Sequence, residues 1–151
     1  MRDRRAGVTL MEMLIVVALI ALMVGVSFPS ITSGVDSLRL MSATDAVASF
    51  LNSALTRADR RQQVMEITFD TKGGKLELRS TEPGFLREVQ LPDGIAITKL
   101  DPDTKSIFLY PGGTVPRISV ELENRRQVRR RVRVDPITGV PQIEQVEKES
   151  K

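Results

Sequence analysis

Two groups of residues in this sequence have the types and spacing to do chemistry. One is a single carboxylate, Glu12, set inside the apolar run VTLMEMLIVVALIALMVGVSF, where burying a charge costs on the order of several kcal/mol. The other is ENRRQVRRRVRV, in which Arg125, Arg126, Arg129, Arg130, Arg131 and Arg133 cluster. Guanidinium groups at that density can neutralise phosphates or carboxylates. The chain has neither cysteine nor histidine. That excludes disulfides, thiolate nucleophiles, Cys/His zinc sites and a histidine general base. No short motif brings serine to lysine, or two carboxylates together, so an enzyme is not expected, and neither is a cofactor or a metal. Asp101 and Asp103 in LDPDT are two carboxylates around a proline. Such a segment reads as a turn before it reads as a calcium loop.

The elements that must carry these residues divide sharply. From Val8 to Phe28 only Thr9, Glu12 and Ser27 are polar. As a helix this segment is about 31 Å long at 1.5 Å per residue, close to the hydrocarbon thickness of a bilayer. Arg2, Arg4 and Arg5 precede it against one acid, Asp3, so the positive-inside rule keeps the amino terminus cytoplasmic and sends the remainder across. A cleaved secretory signal would need a shorter core and a small-x-small site, and VGVSFPSITSG supplies only a poor one. A plain signal anchor explains everything except Glu12. Nothing basic lies one turn from it on the same helix, so its counter-charge must come from elsewhere.

The stretch AGVTLMEMLIVVALIALM resembles the class III leader junction of type IV pilins and type II secretion pseudopilins: a basic leader, Gly7, then Val8, Thr9, Leu10, Met11 and Glu12. The resemblance implies that prepilin peptidase cuts between Gly7 and Val8 and that Val8 is N-methylated. Glu12 then becomes an assembly and register residue, pairing with the amino group of Val8 in a neighbouring subunit. Pro29 falls where pilins often carry a proline, and with Gly34 it marks a helix break between two halves.

Beyond Pro29 the apolar positions Leu40, Ala43, Val47, Leu51, Ala54 and Ala58 recur at helical spacing. They predict an amphipathic continuation that packs on a sheet, in preference to a membrane-surface or calmodulin-like helix. After Arg61 the period changes to two. VMEITFD and KLELRS flank Gly73 and Gly74 as a hairpin. REVQL and IAITKL join across Pro92, Asp93 and Gly94; SIFLY, RISVEL, QVRRRVRV and VPQIEQ follow. The fold class is therefore α+β and pilin-like: a long N-terminal helix, transmembrane then amphipathic, packed on an antiparallel β-sheet or sandwich of about eight strands. The expected organisation is a cleaved leader over 1–7, a transmembrane helix over 8–28, its amphipathic continuation over 29–62, a periplasmic β domain over 63–144 and a flexible tail over 145–151.

ALTRADRRQQVMEITFD, REVQLPDGIAI, IFLYPGGT and RVRVDPITGVPQI, taken in order, are similar to minor pseudopilins of the GspH/FimT type. This likeness implies a minor subunit near the tip of a type II secretion pseudopilus, in the inner membrane by a single pass with a periplasmic domain. Its implied partners are prepilin peptidase, other minor pseudopilins, the major pseudopilin and the inner-membrane assembly platform. The alternative is a FimT-like minor type IV pilin serving pilus assembly or DNA uptake. Alternation weighs against nucleic acid as a partner: Val128, Val132 and Val134 share one side of a strand, leaving Arg129, Arg131 and Arg133 as a basic, solvated face that acidic neighbours such as the 144–149 segment can meet.

Overall fold

The computed structural model describes residues 9–82 and 84–146, with the side chains of 27–33 excepted. One helix, α1 (Leu10–Arg61), is followed by eight strands: β1 (Met65–Asp70), β2 (Lys75–Ser80), β3 (Leu86–Gln90), β4 (Ile95–Asp101), β5 (Ser106–Leu109), β6 (Ser119–Asn124), β7 (Arg129–Val134) and β8 (Pro141–Val146). Contacts divide the chain at Val35/Asp36 into two units. The first holds the apolar part of α1. Leu10, Met11, Leu14, Val17, Leu22 and Val26 are all exposed there, because a helix that is apolar on every side has no polar face to turn outward.

The expected break at Pro29 is not present as an interruption: α1 is helical from Leu10 through Arg61. An interior proline removes one N–H from the ladder and crowds the carbonyl four residues back, and the bonds of the turns on either side carry the helix across it.

The second unit contains the rest of α1 and all eight strands. Leu40, Ala43, Val47, Leu51, Ala54 and Ala58 are buried, as their spacing requires, and Phe50 joins them. They share one core with Ile67, Leu78, Val120 and Val132 from the strands. Every pairing is antiparallel, in two four-stranded sheets ordered β3-β2-β1-β5 and β4-β6-β7-β8. The β1–β2 hairpin turns on Asp70, whose Oδ1 accepts from the N–H of Lys72 (3.1 Å) and Gly73 (2.8 Å). The segment through Pro92, Asp93 and Gly94 does not make a hairpin; it carries the chain from one sheet to the other. Gly94 sits at φ 86° with the Arg125 side chain so close that a Cβ would lie 2.6 Å from its Nε. The positive φ favours glycine there, and any Cβ would also have to displace the Arg125 side chain.

In β4 the register shifts between Ile97 and Lys99. This bulge lets Ile97 and Leu100 both face the core although they are three apart. β8 runs on to Val146, two residues into the expected tail, because the free edge of β7 pairs Arg130 with Gln145 and Arg129 with Val146.

Candidate functional site

The amino-terminal site is built on the first turn of α1. Thr9 precedes the helix, and its hydroxyl oxygen accepts from the Glu12 N–H at 3.2 Å while its carbonyl accepts from Glu12 (3.1 Å) and Met13 (3.2 Å). That is the geometry of an N-cap, and Thr9 with Glu12 three residues later is the sequence pattern of a capping box. The pattern was legible in TLME, yet reading the segment only for its charge passes over it. The cap puts Glu12 in the first turn, where the partial positive charge of the helix amino terminus favours a carboxylate. Its side chain is exposed and has no ion-pair partner among the described residues. Gly7 and Val8 lie outside the described residues. Among the described residues no helix is long and apolar enough to cross a membrane; in the sequence the apolar run continues to Phe28.

Three of the four arginines of β7 face carboxylates of neighbouring strands. Register places Lys99, Glu121, Arg131 and Glu144 in one row across β4, β6, β7 and β8, so the signs alternate across the sheet. Arg131 Nη2 lies 3.1 Å from Glu121 Oε2, Arg129 Nε lies 2.5 Å from Glu123 Oε2, and Arg133 Nη2 lies 2.8 Å from Glu144 Oε1. Arg129 also reaches Glu121, at 3.9 Å. Glu121 is only 5% exposed, and the burial is tolerable because two guanidinium groups face it. The face that the alternation predicts as basic and solvated is thus a cross-strand charge ladder. One element of that reading is corrected: Val128 stands outside β7, exposed, and does not share the buried side of Val132 and Val134. Asn124 holds it there, its Oδ1 accepting from the N–H of both Arg126 and Val128 at 3.0 Å.

Two smaller constellations complete the picture. Asp36 lies 3.6 Å from Arg126 Nε and 4.0 Å from Arg39 Nη1, tying the first turn of the core-packed helix to the β6–β7 turn. In the β7–β8 turn, Asp135 Oδ1 accepts from the N–H of Ile137 (2.7 Å) and of Thr138 (3.1 Å). These backbone donors hold the Asp135 carboxyl below its ordinary value. Asp101 and Asp103 are exposed, and among the described residues no cluster of three potential ligands is placed to hold a metal.

Residues 2–28 match the prokaryotic N-terminal methylation motif. The fold is similar to that of the Pseudomonas aeruginosa (strain PAO1) type IV minor pilin FimU, seen in a crystal structure, with a TM-score of 0.54 and 14% sequence identity over 72% of this chain and 88% of that one. No curated protein matches the chain. At that identity the likeness concerns architecture, and the architecture is pilin-like: a long amino-terminal helix that begins within a methylation motif, and an antiparallel β domain after it.

Proposed function

We propose that this pilin-like chain is a minor pseudopilin of a type II secretion pseudopilus, placed near the filament tip and supporting export of folded proteins across the outer membrane. The observation that carries the proposal is the start of α1: over residues 10–26 it is apolar and exposed on every side, and it bears one carboxylate in a capped first turn that lies within the methylation motif. A helix of that kind requires lipid or other helices around it. In this reading residues 8–28 span the inner membrane, with the amino terminus cytoplasmic and the β domain periplasmic. Prepilin peptidase hydrolyses the Gly7–Val8 bond, releasing the Gly7 carboxylate and the Val8 amine, which is then methylated. The Val8 ammonium of one subunit meets Glu12 of its neighbour only at the correct stagger, which makes a costly buried charge into a register device. The other minor pseudopilins, the major pseudopilin and the inner-membrane assembly platform are its partners, and it is not an enzyme.

A second reading, a minor type IV pilin concerned with pilus assembly or DNA uptake, is favoured by one observation, the likeness to FimU, which is a type IV minor pilin. Deleting the gene in the native organism and scoring exported enzymes in medium and periplasm, together with DNA uptake, separates the two. Enzymes trapped in the periplasm, with export restored by wild type and not by Glu12→Ala, are the expected result. Normal export with lost DNA uptake would establish the minor pilin instead.

A further inference from the structure

Three guanidinium groups of the β4-β6-β7-β8 sheet, those of Arg129, Arg131 and Arg133, face carboxylates; those at the carboxyl end of α1 do not. Arg57, Arg60 and Arg61 occupy its last two turns and make no ion pair among the described residues. Arg87 comes from the edge strand β3 to the same place, its Nη1 donating to Ser53 Oγ at 2.9 Å. A groove of about 430 Å³ is lined by Asn52, Ser53, Thr56, Arg57, Arg60 and Arg61, and Arg87 reaches its rim through Ser53. Arg57 and Arg61 also border an adjoining hollow whose one carboxylate, Glu82, already accepts a hydrogen bond from the Gln63 amide.

The partial negative charge at a helix carboxyl terminus accounts for Arg60 and Arg61 in the last turn. It does not account for Arg87, which arrives from a different element, or for Arg57, whose guanidinium carbon is held 3.4 Å from the centroid of the Phe85 ring. Three like charges lining one groove, with a fourth at its rim, repel one another, and an anion in the groove relieves that repulsion.

We propose that this groove docks an acidic segment, a run of aspartate or glutamate side chains, of a partner polypeptide. Each guanidinium presents a planar fork that matches a carboxylate, and the asparagine, serine and threonine around them supply further donors. Nucleic acid fits the site less well. Its one aromatic ring, Phe85, is packed against the core on one side and covered by Arg57 on another, so no ring is free to stack a base. The cations also form a compact patch where a nucleic-acid backbone needs an extended track. The proposal adds a partner chemistry to the subunit reading, but its test does not depend on that reading.

The test uses the full chain in detergent micelles and a labelled oligoglutamate peptide, with duplex DNA and inorganic phosphate as comparison probes. Arg60→Glu combined with Arg61→Glu is expected to weaken peptide binding by at least about tenfold, while Arg131→Gln, in the neutralised ladder, leaves it unchanged. An unchanged melting profile for Arg60→Ala with Arg61→Ala, alongside weakened binding, separates docking from folding. Equal peptide affinity in wild type and the charge-reversed variant overturns the proposal. So does tighter binding of duplex DNA that the same variant abolishes, which would make the groove a phosphodiester site. Filament incorporation of Glu12→Ala is scored separately: normal incorporation sinks the subunit reading and leaves the groove standing.

Discussion

Glu12 sits three residues after an N-cap, in the first turn of α1, and has no ion-pair partner among the described residues. In the proposed register role its counter-charge is the Val8 ammonium of a neighbouring subunit. Removing the cap and removing the charge therefore have different consequences. Thr9→Val deprives the first turn of a side-chain acceptor, a loss of about 1 kcal/mol. Its expected signature is faster amide exchange at Glu12 in micelles, with protection kept in Thr9→Ser. Glu12→Ala should leave a processed, inserted protein that does not enter the filament, measured by fractionating sheared filaments from membranes. Asp135 offers a pH handle. Its folded-state value is lowered by the Ile137 and Thr138 N–H groups, so its contribution is fully present above the unfolded value and is lost as pH falls through the folded one. Asp135→Asn should melt below wild type at neutral pH, with the gap closing in acid, as read by thermal melts across pH.

The amphipathic half of α1 was legible because burial there follows a single stripe. Phe50 was not picked out: it sits beside Leu51, one step off the stripe, and the helix is buried over a wider arc than a narrow seam because it meets strands of both sheets in one core. Phe50 is fully buried, so Phe50→Ala should cost about 3–5 kcal/mol in chemical denaturation of the full chain. The strands were likewise legible from alternation and turn residues, including the β1–β2 hairpin. Alternation identified which side of β7 is polar, but it could not say what the polar side meets. Glu121 is the answer for two of the three arginines. Glu121→Ala leaves Arg129 and Arg131 without that partner and should destabilise the domain by roughly 1–3 kcal/mol, again by denaturation.

For the whole molecule, pairing of the arginines redistributes where its positive field is available. Arg129, Arg131 and Arg133 face Glu121, Glu123 and Glu144, whereas Arg57, Arg60 and Arg61 at the end of α1 make no ion pair among the described residues. Retention of duplex DNA by the full chain at low salt should accordingly be unaffected by Arg131→Gln. A marked, salt-sensitive loss in that variant would restore the ladder as a nucleic-acid surface. The apolar first unit of α1 and the core-bearing second unit also divide the expected effects of substitution: changes in the first alter insertion and assembly, and changes in the second alter stability.

What the chain determined by itself was local. A leader motif, an apolar run, a helical stripe and alternating strands are all properties of neighbours in sequence, set by backbone period and side-chain polarity. The tertiary structure decided which strands share a sheet, sending β4 and β5 to different sheets although only four residues separate them. It also decided which charges meet. Glu121 and Arg131 are ten residues apart and Arg87 and Ser53 thirty-four, and at such separations no sequence period specifies contact. Whether a basic residue is neutralised or left open to a partner depends on that contact alone.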